Sequence, residues 1–365
     1  MFGGMNRGGA ETIMLDVFRN WRDASYEFIG IHRKDGAYKE AFYGAGPKLI
    51  QLAPKRLGFV RYLMQLRRLL KKEQISIVHA QYWLDCLYAC IATVGLPIRV
   101  MNTYHGFFQK KGVWGRLCYL SAHMADDVCF VSTNEQDWYE KEYGIHPDKC
   151  HVIYNGVDLR KIASQNDDFS FEICSLSFEK KGETRLCMVG SFSPARNQLL
   201  ICKAMKQLDS DVEFYFIGAK NEQSSNVYQE CYEYCVTNKI LDRVHFVGEQ
   251  GDVYRWLKEM DGFVYATKHD TFGIALVEAV AEGMPVVACD WVVTKEVCEP
   301  FEGPGVQLFS MHDENDCTQK IRYMISHIEE CRDSAKVNAQ IARDVYSIKA
   351  YLKRLGEIYS RYDNI

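Results

Sequence analysis

Residues 261–290, DGFVYATKHDTFGIALVEAVAEGMPVVACD, leave the chain few ways to fold. The apolar run Phe263, Val264 and Tyr265 reads as a buried strand, and a polar turn carrying His269 and Asp270 follows it. Phe272-Gly273 comes next, where glycine lets a backbone approach a ligand closely. Ile274 to Glu282 is rich in helix formers, and Gly283-Met284-Pro285 stops that helix ahead of a second strand, Val286 to Ala288. Strand, glycine turn, helix and strand together make one unit of a parallel sheet flanked by helices.

A strand that feeds a helix N-terminus through a glycine is also a place to hold phosphate, because unpaired N–H groups and the helix dipole face the anion. Asp270 and Glu278 flank that turn, eight positions apart, so they cannot lie one turn apart on a single helical face. They would bracket an extended ligand. Carboxylates accept hydrogen bonds strongly, and paired sugar hydroxyls suit them. Glu278 therefore reads as a clamp on a ribose diol and Asp270 as a contact to a donor sugar, with the amides of Gly273, Ile274 and Ala275 on a diphosphate between them. The same residues also fit an ordinary surface turn with an acid ahead of a helix, and the pair by itself favours that plainer reading.

Similar apolar runs recur at 26–31, 75–80, 98–102 and 127–131, and again at 185–190, 212–217, 243–247, 262–266 and 285–289. Helical stretches separate them, among them Ala10 to Asn20 with Ile13, Met14, Val17 and Phe18 at helical spacing. This alternation predicts an α/β fold with parallel sheets, and 365 residues exceed what one core accommodates. Two Rossmann-like domains are expected at 1–160 and 161–345, connected through the polar segment Ser164 to Lys181. Only Met1 and Phe2 precede Gly3-Gly4, so the first strand reads as truncated and an upstream start is expected.

The net charge of −4 argues against a dedicated nucleic-acid binder. Fourteen cysteines without framework spacing read as small buried hydrophobes of a reducing compartment. The closest sets, Cys86 with Cys90 and Cys231 with Cys235, each share a helical face, and no metal-ligand cluster is legible. No apolar run is long enough to span a bilayer and no signal peptide precedes the first motif, so a cytoplasmic location is expected.

In family order, RGGAET at 7–12, YHGFF at 104–108, VIYNGVDL at 152–159, MVGSFSPARNQ at 188–198, VHFVGEQGDV at 244–253 and the 261–290 segment resemble glycosyltransferase family 4, the "glycosyl transferases group 1" enzymes. The resemblance spans nearly the whole chain, with Asp270 in place of the first acid of a Glu-x7-Glu pair. It implies the GT-B arrangement, two Rossmann-like domains facing a central cleft, with a C-terminal helix in 346–365 crossing back to the first domain. It implies a retaining, metal-independent transferase of bacterial polysaccharide type that needs no cofactor and takes a nucleotide-diphosphate sugar as donor. The implied acceptor is a glycan or lipid-linked glycan.

By the same resemblance Gly8 and Gly9 belong to a loop closing over the donor, and His105 sits near the donor sugar. Arg196 stands where the family has a phosphate-binding Lys, and Gly248 in the loop beside the base, with Glu249 and Gln250 as polar neighbours. Ser191 replaces a customary Arg, which leaves Lys268 as a candidate second cation. DWVVTKEV lacks the usual Gly-Gly loop, although Glu296 keeps the position of a family Glu. Ser132 and Glu135 read as a capping box.

Residues 55–72 hold seven Lys or Arg and no acid, with Phe59, Leu63, Leu66 and Leu70 at helical spacing. They fit either a solvated helix or a peripheral contact with the anionic inner face of a membrane. A nucleotide-sugar epimerase of the same fold and a non-catalytic nucleotide-sugar-binding subunit are the rival readings. No strand leads into a G-x-G-x-x-G with an acid about 20 residues on, which argues against a nicotinamide dehydrogenase.

Overall fold

The computed structural model describes residues 1–6, 8–22, 25–108, 111–158, 184–220 and 225–363. The polar segment Ser164 to Lys181 and the side chain of Arg7 lie outside them. The chain divides into two compact units, one of Met1–Val157 with Tyr346–Ile365, the other of Asp158–Val345.

Among its described residues the first unit holds seven strands: β1 (Phe2–Gly4), β2 (Ile29–Lys34), β3 (Lys48–Gln51), β4 (Ile77–Ala80), β5 (Arg99–Thr103), β6 (Asp127–Phe130) and β7 (Cys150–Val152). They pair in parallel as β1-β2-β3 and β4-β5-β6-β7. The first strand is short, three residues, and includes Gly3 and Gly4. Phe2 anchors the strand: it is fully buried, stacked 5.2 Å from Phe42 and edge-on 6.3 Å from Phe18. Beside it the Met1 ammonium donates to the His79 carbonyl at 2.6 Å.

The basic segment corrects a second expectation. Gly58, at φ 76°, breaks it into Pro54–Leu57 and Phe59–Lys72. The buried stripe of the longer helix is Tyr62, Leu66 and Leu70, whereas Phe59 is 53% exposed. A tyrosine among the polar-face positions takes the place that Phe59 was expected to fill. Strand β2 also begins three residues later than its apolar run, at Ile29 rather than Tyr26.

The second unit carries one six-stranded parallel sheet built from β8 (Thr184–Val189), β9 (Val212–Ile217), β10 (Val244–Gly248), β11 (Gly262–Tyr265), β12 (Val286–Cys289) and β13 (Val306–Phe309). Their order is β10-β9-β8-β11-β12-β13. The chain therefore runs outward from β8 to β10, returns to the centre at β11, and runs outward again. Phe214, Phe216, Leu186, Met188, Val264 and Val287 fill the core of this sheet. Continuous burial of such β-branched and aromatic runs is what a sheet covered on both faces requires.

The expected helix Ile274–Glu282 forms with those bounds, flanked by Gly273 and Gly283 at φ 89° and 85°. The closing helix Ile348–Ser360 packs within the first unit, burying Tyr351, Leu355 and Tyr359. The Tyr359 hydroxyl meets His79 Nδ1 at 2.8 Å, and Val157 N–H donates to the Tyr346 carbonyl at 2.7 Å. All described cysteines are free, and all but Cys150 are buried, as small apolar side chains would be.

Gly156 sets how closely that helix docks: a Cβ there would lie 2.6 Å from Ile348 Cα and 2.8 Å from Tyr351 Cβ. Neither contact can relax by a side-chain rotation. Gly156→Ala is expected to destabilise the first unit by about 1–3 kcal/mol, the usual cost of overpacking. Urea unfolding followed by tryptophan fluorescence measures it, and an unchanged midpoint would show that the helix docks loosely.

Candidate functional site

In an open parallel sheet, ligands bind beyond the carboxyl ends of the strands where the strand order reverses. In the second unit that point lies between β8 and β11. The loop after β8, Gly190 to Asn197, and the loop after β11, Ala266 to Gly273, meet there. Lys268 N–H and Thr267 Oγ1 both donate to the Ala195 carbonyl, at 2.7 and 2.9 Å, and Asn197 N–H donates to the Ala266 carbonyl at 3.2 Å. Gly190 and Gly218 permit the tight exit from β8, since a Cβ on Gly218 would lie 2.1 Å from the Gly190 carbonyl oxygen.

These staples bring Arg196 against Asp270. Arg196 Nη1 donates to Asp270 Oδ2 and to Tyr265 Oη, both at 2.6 Å, and the Tyr265 hydroxyl donates to the same carboxylate. The guanidinium also lies over the Tyr265 ring, 5.4 Å from its centroid. Burial pushes the Asp270 carboxyl upward, but the Arg196 charge, the Tyr265 and Arg196 hydrogen bonds and the Thr271 N–H outweigh it and hold it below the ordinary carboxylate range. Burial likewise works against the Arg196 charge, and Tyr265 and Asp270 reverse it, raising that pKa. Both side chains keep some access, 22% for Arg196 and 18% for Asp270. The hydrogen bonds of the guanidinium run through Nη1, so the rest of the fork has no hydrogen-bond partner among the described residues.

The helix Ile274–Glu282 begins at the same place. Gly273 needs its left-handed φ of 89°, and a Cβ there would also lie 3.2 Å from the Tyr265 hydroxyl. Phe272 is buried as a plug beneath the turn, and the Trp291 Nε1–H donates to the Asp270 carbonyl at 3.1 Å. Glu278 accepts from the Tyr254 hydroxyl at 2.8 Å. Tyr254 belongs to the helix Val253–Lys258, which follows Gly248 at the end of β10, so Glu278 and the Gly248 loop are neighbours. Gly248 holds φ 82°, and Gln250 accepts from Trp256 Nε1 at 3.3 Å.

The remaining expected residues belong to the first unit or stand apart. His105 follows β5, and its Nε2 donates to Gln81 Oε1 at 2.9 Å. Burial drops its pKa to about 4, so the ring is neutral near pH 7. Gly8 caps the helix Gly9–Asn20 in extended backbone, and a Cβ on it would lie 2.6 Å from Glu11 Oε2. Ser191 and Lys268 are exposed, and Glu296 lies in the helix Val292–Cys298.

Only half of the expected capping box forms. Ser132 Oγ accepts from the Glu135 N–H at 3.2 Å, but the Glu135 carboxyl accepts from Val131 N–H at 3.0 Å rather than from Ser132. Burial raises that carboxyl to about 8, partly opposed by the Val131 and Gly106 N–H groups. Tyr265, Tyr254 and Gln81 escaped the sequence analysis because each reads as a core or strand-end residue. Only a hydroxyl or amide in a run bound for a site could have flagged them.

Among the described residues no group of three or more His, Cys, Asp or Glu side chains is placed to hold a metal ion. The donors present are one guanidinium, backbone amides at a helix start, and carboxylates within reach of hydroxyls. That set suits a diphosphate joined to sugars.

Comparison with known proteins identifies the family and the fold. Residues 7–161 match the model of Glycosyltransferase Family 4, and residues 183–327 match Glycosyl transferases group 1. The chain is 28% identical over 244 residues to the UDP-Gal:alpha-D-GlcNAc-diphosphoundecaprenol alpha-1,3-galactosyltransferase of Escherichia coli, covering 62% of this chain and 61% of that protein. It is 25% identical over 302 residues to the GDP-mannose:cellobiosyl-diphosphopolyprenol alpha-mannosyltransferase of Xanthomonas campestris, covering 78% and 75%. Among solved structures, Anabaena Alr3699/HepE in complex with UDP superposes with a TM-score of 0.82 at 18% identity, over 99% of both chains.

The ion pair predicts a pH signature. A depressed carboxyl adds stability above its unfolded value, about 3.9 for Asp, and loses it as pH falls through the folded value. Arg196→Gln removes the main depressing charge, so burial prevails and Asp270 titrates at a higher pH. The wild-type contribution is expected to be full above about pH 4 and to fall below it, whereas in the variant the raised carboxyl reverses the sign, so stability is lost as pH rises through its folded value. Urea midpoints from pH 4 to 8 test this, and parallel curves for the two proteins would rule out the coupling.

Proposed function

The chain belongs to glycosyltransferase family 4, with a group 1 glycosyltransferase domain as its second half and the GT-B fold, and from that premise we propose that it moves a sugar from a nucleotide-diphosphate donor to a hydroxyl acceptor with retention. The observation that carries this reading is Arg196, anchored through Nη1 beside the amino end of the helix Ile274–Glu282, at the point where the strand order reverses.

In this reading the Gly273, Ile274 and Ala275 amides and the open side of the Arg196 fork hold the donor diphosphate. They stabilise the charge that develops on it as the anomeric C–O bond breaks, without calling on a metal ion or a cofactor. Glu278 takes the ribose hydroxyls, the Gly248 loop lies along the base, and Asp270 accepts from a hydroxyl of the transferred sugar. The acceptor oxygen bonds to the anomeric carbon on the face the diphosphate leaves, and its proton passes to a leaving phosphate oxygen. His105, neutral at pH 7, supplies a polar contact rather than a charge. Gly8 and Gly9 add no side chain at the start of the helix Gly9–Asn20.

The two relatives described above are named for acceptors in which a sugar is carried on a lipid diphosphate. We assign this chain an acceptor of that class, in the synthesis of a bacterial surface glycan. Among the described residues no helix is long and apolar enough to cross a membrane. The helix Phe59–Lys72 offers a peripheral contact instead: Arg61, Arg68, Lys71 and Lys72 without an acid, beside Phe59, Val60 and Met64 at 53%, 65% and 47% exposure.

A donor screen tests the transferase reading. UDP- or GDP-sugars are expected to raise the melting temperature selectively and to be slowly hydrolysed, and Glu278→Ala to weaken binding at least about tenfold, or ~1.4 kcal/mol. No shift and no hydrolysis with any donor would sink it. Co-sedimentation tests the membrane contact: vesicles rich in phosphatidylglycerol should pellet the protein and phosphatidylcholine should not. Replacing Arg68, Lys71 and Lys72 by Gln should cost about 1 kcal/mol per charge. Equal pelleting by both lipids would reject an electrostatic contact.

A further inference from the structure

The last bond that β5 makes to its neighbour runs from the Tyr104 N–H to the Cys129 carbonyl at 2.9 Å, and the chain then leaves the sheet through His105, Gly106, Phe107 and Phe108. Backbone groups that leave a sheet need other partners. Here they come from one stripe of the helix Thr133–Tyr143, whose Glu135, Tyr139 and Tyr143 stand four residues apart and so share a face. The Gly106 N–H bonds to the Glu135 carboxyl. The Tyr139 hydroxyl donates to the Gly106 carbonyl at 2.9 Å and accepts from the Phe108 N–H at 3.1 Å. The Tyr143 hydroxyl donates to the Phe108 carbonyl at 2.7 Å. Three side chains thus take up, in order, the N–H, C=O, N–H and C=O that a neighbouring strand would otherwise pair.

The stripe is itself held rigidly. Tyr139 is fully buried, with its ring 4.1 Å from Tyr104 and 5.2 Å from Phe130. Glu135 is equally buried and accepts from the Val131 N–H at 3.0 Å. Phe107 lies edge-on to Trp138 at 5.3 Å, and Phe108 lies 4.9 Å from Trp83. Burying a carboxyl and two hydroxyls is less favourable than burying apolar groups of the same shape unless their bonds serve a purpose. Gly106 points to that purpose. Its φ is not positive, and a Cβ on it would meet nothing within 4 Å, so neither strain nor crowding demands a glycine there. It leaves open space beside His105, whose ring is fixed separately through Nε2 to Gln81.

We propose that Glu135, Tyr139 and Tyr143 are positioning residues for the transfer step: their hydrogen bonds fix the backbone of residues 105–108, so that the His105 ring meets the transferred sugar in one orientation. The assignment rests on the transferase reading above, in which His105 supplies a polar contact. It gives the helix Thr133–Tyr143 a role that packing alone does not require, since phenylalanine at either tyrosine keeps the ring and removes only the hydroxyl. Burial raises the Glu135 carboxyl to about 8, so glutamine matches its charge near pH 7.

A double-mutant cycle in the full chain tests this, reading hydrolysis of the donor that the screen above selects. Tyr143→Phe is expected to lower kcat at least about fivefold, and Tyr139→Phe further, because a contact displaced by a fraction of an ångström loses much of its effect. KM for the donor should stay within about twofold. In a His105→Ala background each tyrosine variant should lose less than about twofold, since a residue that acts through His105 is then without effect. Glu135→Gln should retain kcat at pH 7, and Glu135→Leu should lower it as the tyrosine variants do. Urea midpoints show which variants fold, and Tyr143, only half-buried, decides the question if Tyr139→Phe does not. Equal losses with and without His105, or no loss in Tyr143→Phe, overturn the proposal. Wild-type protein that hydrolyses no donor strikes the transferase reading instead. The ¹⁵N resonances of the His105 ring then judge the positioning by themselves: Tyr143→Phe should shift them, and unchanged resonances overturn it.

Discussion

The Ala195 carbonyl accepts one bond from the Lys268 N–H and one from the Thr267 hydroxyl, and this short staple between two loops organises the candidate donor site. Parallel strands β8 and β11 are neighbours because the chain leaves the sheet centre after β8 and returns to it at β11. Loops that exit two such strands start about 4.8 Å apart, the spacing of paired strands. Hydrogen bonds between them then cost little further ordering. Arg196 is placed by its own loop, Asp270 by the other, and Tyr265 by the end of β11 itself. A cation and an anion from segments 74 residues apart become a contact pair without either loop being long.

That pair shows how the site handles burial. Asp270 and Arg196 are mostly enclosed, and each would be costly alone. Together with the Tyr265 hydroxyl they satisfy one another, while the partial access of both leaves room for a ligand to compete. The first unit solves the same problem differently. His105 is enclosed and stays neutral, bonded to Gln81, and the Glu135 carboxyl is so buried that it titrates near pH 8 while holding backbone N–H groups beside it. Charge is thus concentrated at the Arg196–Asp270 pair, and neutral polarity at His105.

Glycines mark the places where backbone or ligand must come close, and they act by different means. Gly273 needs a positive φ, which other residues rarely adopt. Gly218 and Gly156 need space, one against the neighbouring loop and one against the closing helix. Gly3 and Gly4 leave space for the Arg33 and Lys34 side chains. Gly3 and Gly4 were read from the sequence as lying after a truncated first strand, but they belong to β1, because a strand of three residues held by one buried phenylalanine leaves no periodicity to detect.

The sequence by itself determined the α/β class, the doubling of the pattern, the helix Ile274–Glu282 with its glycine stops, and the candidate site residues around it. These follow from local rules, since hydrophobic period, helix propensity and glycine conformation act within about ten residues. Short strands such as β3 and β7 were illegible, because three or four residues with few apolar positions cannot be told from loop. Only the tertiary structure decided that Arg196 pairs with Asp270, that Tyr265 and Tyr254 hold the two acids, and that Arg33 and Lys34 lie over Gly3 and Gly4. Those contacts depend on strand order and register, which arise from packing between segments distant in the chain and have no period or motif to betray them.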